Sequence, residues 1–330
     1  MERNKVLDTT KYLLISLVII GHFIEPTKYT DTITQHLYCL IYSFHMPLFI
    51  WISGYFHKQR SIGEELKKCI PIMEACLLCH IGFLILRYRS GFSIIKLFDF
   101  GVSPSWYILS YVYWKIATDI LSKWFSAKQL LVLSILVDAI AFLFIEHGGY
   151  MSIGRTILFY PFFVLGYCMK GNLSHILLKY ERAVFVMGIV SVSFVLYTAC
   201  VLQFKMEFHN SNIFTLLQFT DFSPSIVIIY RYILSICTIL ISGLLLVIVN
   251  NSTTIQNLSK HGKNTMFIYF AQTPMFAIIG VMDISLWQSL LIAFVTIPIL
   301  TYISNRHFAK WLMNPITSLY KNRKHSINYR

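Results

Sequence analysis

The chain has 330 residues, 56% of them hydrophobic and only 13% charged, with a mean hydropathy of +0.62. Soluble domains carry about 25% charged residues, so the composition excludes a soluble globular enzyme. It implies an all-α, polytopic integral membrane protein with about ten transmembrane helices in one bundle. The formal charge of +13 would suit a nucleic-acid binder. Most of the Lys and Arg residues instead fall in short segments on one side of the expected topology, as expected for membrane topology and contact with anionic membrane lipids, so no nucleic acid is expected.

In chain order, the apolar runs predict spans at roughly 11–26, 37–57, 69–88, 104–122, 128–146, 153–170, 183–203, 224–249, 264–282 and 286–304. No small-residue cleavage site follows the first run, so it reads as a span rather than a leader. With the N-terminus in the cytoplasm, segments 1–10, 58–68, 123–127, 171–182, 250–263 and 305–330 face inside. They hold 17 of the 28 Lys and Arg residues. The outer loops then hold Lys28, Arg87, Arg89, Lys96 and Lys205. Both termini are therefore expected to be cytoplasmic, and the 87–96 loop is where the charge rule runs against that topology. The expected organisation is a membrane domain, 1–304, followed by a basic cytoplasmic tail, 305–330. Its Trp311, Tyr320 and Tyr329 suit the inner membrane surface.

The first span carries polar residues on one stripe. Eleven residues make three helical turns plus about 20°, so Lys11 and His22 share a face. They are separated by about 16 Å along the axis, roughly half of a ~30 Å hydrocarbon core. Asp8 and Glu25 fall near the same stripe. Polar side chains inside a membrane are costly and mark function, and a titratable His there points to proton transfer. Simpler roles stand beside these: Lys11 can snorkel to the interface, His22 can pack between helices, and Glu25 can cap the helix end.

The second span reads Phe44-His45-Met46-Pro47-Leu48-Phe49. Pro47 frees a backbone carbonyl. A kink there would open room beside the first span and place His45 level with His22. Arg155 begins the sixth span from outside, and Arg231 lies one to two turns into the eighth. Either can snorkel, or can hold a carbonyl, a sugar oxygen or a phosphate in a cavity.

Weaker signals follow. Glu74 and His80 lie in the third span. Asp138, in the middle of the fifth, has no basic neighbour on its own helix and needs a partner elsewhere. Lys115 and Asp119 are four apart and can pair. Cys76-x-x-Cys79 lies within a hydrophobic helix and reads as buried thiols rather than a metal or redox site; no metal is expected. The chain has no phosphate-binding loop, no Gly-x-Ser-x-Gly elbow and no His-Glu-x-x-His pair, so no ATP-driven motor is expected.

Asp8-x-x-Lys11 running to Gly21-His22, and Phe44-His-Met-Pro-Leu-Phe-Ile-Trp-Ile-Ser-Gly-Tyr55, resemble motifs of membrane acyltransferase family 3, in its branch of fucose 4-O-acetylase-like sugar O-acetyltransferases. Looser pieces are Trp106-Tyr-Ile-Leu, Arg155 to Gly166, and Gly262-Lys-Asn-Thr-Met-Phe-Ile-Tyr269. The resemblance implies a bundle of roughly ten helices in a bacterial cytoplasmic (inner) membrane. It implies transfer of an acyl group, usually acetyl, from cytoplasmic acetyl-CoA to a hydroxyl of a surface glycan or lipid-linked sugar acceptor. A polysaccharide biosynthesis complex is the partner this implies. Family members commonly carry Arg where Lys11 stands; Lys keeps the charge and loses the bidentate fork. Gln272 stands near a late position often held by His.

On this reading Lys11 lies near the nucleotide end of the donor. His22, oriented by Glu25 or His45, is the general base, and Arg155 or Arg231 stabilises the oxyanion. An acyl-His intermediate is the open variant. The rival is a proton-coupled transporter or flippase of a polyprenyl-linked sugar, which would use the same buried polar groups. A third reading is a non-catalytic member of a polysaccharide synthase complex.

Overall fold

The computed structural model describes residues 4–28, 31–88, 91, 93–144, 150–201, 223–306 and 309. Its regular structure is helical, apart from one isolated bridge between Asp99 and Tyr150. Among the described residues, ten long helices run in order: α1 Lys5–Ile24, α2 Thr32–Tyr55, α3 Ile62–Arg87, α4 Trp106–Leu121, α5 Ala127–Phe144, α6 Ile153–Cys168, α7 Leu173–Val201, α8 Pro224–Asn251, α9 Thr265–Ile279 and α10 Leu286–Ser304. Each overlaps an expected span, with α1, α3 and α7 starting several residues earlier than expected. Seven of them, α1, α2, α3, α5, α7, α8 and α10, are long and apolar enough to cross a membrane. The other three have 15 or 16 residues and rise only about 24 Å or less.

The helix starts are written locally. Asn4 accepts from Leu7 N, and Asp31 accepts from Thr34 N at 2.6 Å. Ser61 with Glu64 and Ser285 with Gln288 form reciprocal capping boxes. Each satisfies amide groups that a helix start leaves without partners.

Helices α1 and α2 sit at the centre, touching both groups of neighbours. One core joins them to α3, α4, α6, α9 and α10 through Ile19, Ile50, Trp114 and Phe270. The other joins them to α5, α6, α7 and α8 through Leu14, Leu48, Phe142 and Leu246. Outward faces stay apolar, as in Val186 and Val190 on α7 or Leu291 and Phe294 on α10, where lipid would be the solvent. Helices α2 and α6 meet backbone to backbone. A Cβ on Gly54 would strike the Phe163 carbonyl, and one on Gly166 would strike the Trp51 carbonyl. Small residues permit such close approach between membrane helices.

Proline leaves gaps in the backbone ladder that other helices fill. Pro47 cannot bond the carbonyl of Ser43, one turn back. Thr238 Oγ1 on α8 donates to that carbonyl at 2.6 Å. Pro274 leaves the Phe270 carbonyl, which lies 3.9 Å from the Cys79 thiol. The Cys76 thiol lies 3.6 Å from the Ser105 carbonyl.

The segment before α4 departs from a simple outer loop. Residues 100–105 turn into the bundle, and Phe100, Ser103 and Ser105 are buried there. His80 on α3 anchors it: Nδ1 is 2.8 Å from Ser103 Oγ, Nε2 is 3.3 Å from the Lys96 carbonyl, and the ring stacks on Phe100. The Tyr269 hydroxyl on α9 donates to the Pro104 carbonyl. Irregular backbone survives at membrane depth only inside protein or along a cavity. Helix α4 starts only after this inserted segment, at Trp106.

Candidate functional site

A cavity opens at the end of the bundle opposite the N-terminus. Its polar lining is His22 and Glu25 at the end of α1, Tyr42 and His45 on α2, Ser103 on the inserted segment, and Arg155 at the start of α6. Trp106, Phe159, Tyr269 and Phe276 supply aromatic walls.

The His22 ring lies against Phe276, with centroids 4.4 Å apart. Its Nδ1 is 3.2 Å from the Tyr42 hydroxyl and 3.6 Å from Glu25 Oε2. Tyr42 donates to Glu25 Oε2 at 3.4 Å, and Lys28 donates to Glu25 Oε1 at 3.2 Å. A chain His22 Nδ1–H to Tyr42 to Glu25 satisfies all three groups. It leaves Nε2 as the basic nitrogen of His22. Tyr42 also packs edge-on against His45, 4.8 Å between centroids. The Ile41 carbonyl lies 2.7 Å from His45 Nδ1. A carbonyl only accepts, so His45 Nδ1 carries the proton and Nε2 is the basic atom. Arg155 Nη1 donates to the Gly101 carbonyl at 3.1 Å, and its guanidinium lies 5.4 Å from the centre of the Trp106 ring.

Four of the six residues singled out in the sequence thus converge: His22, Glu25, His45 and Arg155. The other two stand elsewhere. Lys11 lies toward the N-terminal end, 2.7 Å from Asp8 Oδ1 and 5.4 Å from the centre of the Phe56 ring. Arg231 does not line the cavity. It forms a buried, two-pronged pair with Asp138, at 2.9 and 2.6 Å, beside Phe142. Its fork is filled by that carboxylate, so of the two arginines weighed for the oxyanion, Arg155 is the one at the cavity. Asp138 finds there the partner its own helix lacks.

Tyr42 escaped the sequence reading, although it precedes His45 by one helical turn. A second polar group, toward the N-terminal end, escaped it too. Lys115 does not pair with Asp119 as the spacing allowed. Lys115 pairs with Glu65, which also holds Arg60 at 2.8 Å. Asp119 Oδ1 lies 3.0 Å from His57 Nε2 and accepts from Arg60 N at 3.2 Å. His57, Glu65, Lys115 and Asp119 are all buried. Burial holds the His57 imidazole below its ordinary pKa, against the pull of Asp119. The available signal was the four-residue spacing of Tyr107, Tyr111, Lys115 and Asp119 on α4, which puts them on one face. Tyr107 continues that line to Ser53, at 2.8 Å. Among the described residues, no group of three or more His, Cys, Asp or Glu is placed to hold a metal. The tail beyond residue 309, with Arg89 and Lys205, lies outside the described residues.

The sequence matches a family described as "Acyltransferase domain" over residues 4–305. Among curated proteins, it is 28% identical over 188 residues to the nodulation protein NolL of Sinorhizobium fredii, covering 50% of this chain and 48% of that one. It is 27% identical over 186 residues to the nodulation protein NolL of Mesorhizobium japonicum, covering 50% and 48%. The chain spans about half the length of these relatives. No solved structure matches it. With the family match running through nine-tenths of its length, this chain belongs to the membrane acyltransferase family 3.

Proposed function

We propose that this protein transfers an acyl group, acetyl in the first instance, from cytoplasmic acyl-CoA to a hydroxyl of a cell-surface polysaccharide or its lipid-linked precursor. The observation that carries the reading is the convergence of His22, Tyr42, Glu25 and Arg155 on one cavity walled by aromatic rings. Aromatic faces suit the apolar faces of sugar rings, and the polar groups suit proton transfer and a developing oxyanion.

The chemistry follows from the side chains. His22 Nε2 takes the proton of the acceptor hydroxyl. Tyr42 and Glu25 fix the ring from the Nδ1 side and stabilise the imidazolium. The hydroxyl oxygen bonds to the thioester carbonyl carbon. Arg155, with guanidinium hydrogens beyond the one given to Gly101, stabilises the carbonyl oxygen as it becomes negative. Collapse breaks the carbon–sulfur bond, and the proton on His22 passes to the departing thiolate. Atoms and charge balance without any other reactant.

The donor is assigned to the N-terminal end, where Lys11 and the basic segments cluster. The acceptor is assigned to the far end, where the cavity opens. This requires all ten helices to cross, with α4, α6 and α9 as short spans and both termini in the cytoplasm. We assign the protein to the bacterial inner membrane, in contact with membrane lipids and with the machinery that builds its acceptor.

The test is the O-acetyl content of surface glycan from cells carrying the intact chain or His22→Ala at equal membrane level. Loss of the ester, with glycan still exported, is expected. An unchanged ester content would overturn the assignment of His22, and loss of the glycan itself would point to transport.

A further inference from the structure

The cations that break the positive-inside pattern gather at the mouth of the site. Lys28, Arg87 and Lys96 are the described members of the outer-loop set. Lys28 binds Glu25 on the cavity wall. Arg87, at the last residue of α3, lines an annex with Glu25, Phe83, Tyr88, Val102 and Phe276. Glu25, Val102 and Phe276 also line the main cavity, so the two spaces share a wall. Lys96 donates to the Tyr88 hydroxyl at 3.2 Å and lies over its ring. That hydroxyl keeps its own proton to give.

Two charged side chains are among the residues that line the annex, Arg87 and Glu25. Glu25 is its carboxylate, and Lys28, Tyr42 and the His22 side already occupy that group. Among the described residues, Arg87 has no ion pair. Its guanidinium lies against Gly280 at the end of α9, where a Cβ would strike it, and the residue is exposed. An arginine with its fork open and a phenol proton, with Lys96 behind the phenol, make a place for a carboxylate or a phosphate.

We propose that the annex at Arg87 is a subsite for an acid group on the acceptor, a sugar carboxylate or a sugar phosphate, held while a neighbouring hydroxyl meets His22. This rests on the acyl-transfer reading for the role of that hydroxyl, but the binding is testable without it. The subsite would give Arg87 and Lys96 a role on the face where topology disfavours basic residues.

The test uses the full chain in phosphatidylcholine nanodiscs, titrated calorimetrically with glucuronate, glucose 1-phosphate and glucose. One or both acids should bind at least tenfold more tightly than glucose. Arg87→Gln should remove that difference, and Arg87→Lys should keep part of it. Tighter binding of glucuronate assigns the carboxylate source, and tighter binding of glucose 1-phosphate the phosphate source. Glucose binding as tightly as the acids, no binding of either acid, or an acid preference that survives Arg87→Gln would overturn the proposal. An equal loss in Lys123→Gln, on the loop at the other end, would show bulk charge and overturn it as well. His22→Ala should keep the acid preference. A surface ester that persists in His22→Ala would therefore sink the catalytic assignment and leave the subsite standing.

Discussion

The Tyr42 hydroxyl lies 3.2 Å from His22 Nδ1 and, on its other side, 3.4 Å from Glu25 Oε2. One phenol therefore joins the base to the acid that would stabilise its charged form. The direct His22–Glu25 distance is 3.6 Å, longer than either leg of the bridge, so Tyr42 shares in orienting the ring. Tyr42→Phe should keep the ring packing against Tyr38 and His45 while removing the bridge. A fall in kcat of about ten- to a hundredfold is expected, within the range that positioned proton transfer contributes, with little change in KM for the acyl donor. Initial rates of labelled acetyl transfer in vesicles check this; a normal kcat would show that Glu25 orients His22 unaided.

The Arg231–Asp138 pair allows a test that separates structure from chemistry. Removing one partner strands a buried charge, at a cost of about 3–5 kcal/mol. Asp138→Ala should therefore lower the folded yield sharply. Replacing both, Arg231→Met with Asp138→Leu, should restore much of it, because a well-packed apolar pair of similar volume is often neutral or better. The double variant should retain acetyl transfer per folded molecule. Thermal unfolding in detergent and a transfer assay on the same samples decide it. A folded but inactive double variant would return Arg231 to the reacting centre.

The path of the chain was largely legible because spans in lipid must be apolar and helical, a constraint that single sequences display openly. His22 and Glu25 were legible for the same reason: polar atoms on an apolar run stand out. Arg155 and Arg231 looked alike in sequence, since both are single cations near a span terminus. Only packing tells them apart, by putting Asp138 of α5 opposite one and the carbonyl of Gly101 opposite the other. The inserted segment at 100–105 was hidden because its residues, Phe-Gly-Val-Ser-Pro-Ser, read as an ordinary loop. Its fixing contacts come from His80 and Tyr269, far apart in the chain.

The α2–α6 contact should be intolerant of any side chain. Gly54→Ala or Gly166→Ala places a methyl group against a carbonyl of the facing helix. The carbonyls belong to helix backbone and cannot move aside singly. Overpacking costs typically about 1–3 kcal/mol, and rigid backbone on both sides puts these two at the upper end. Either variant should lower the midpoint of thermal unfolding. Gly63→Ala, where nothing lies within reach of the new methyl, should leave it nearly unchanged. Equal midpoints for Gly54→Ala and Gly63→Ala would show that the two helices are further apart than described.

His57 should make stability fall on the acid side. Its folded pKa is held below the ordinary value, chiefly by burial; an exposed His titrates near ~6.5. In the window between those two values the unfolded chain binds a proton that the folded chain does not. The unfolding free energy therefore rises with pH through that window. The contribution is present in full above about pH 7 and is lost progressively as pH falls through the ordinary His value toward the folded one. His57→Gln keeps a polar group near Asp119 and cannot titrate. Unfolding midpoints measured from pH 7.5 to 5.5 should fall less in His57→Gln than in the native chain. Parallel slopes for the two proteins would show that the acid sensitivity arises at other groups.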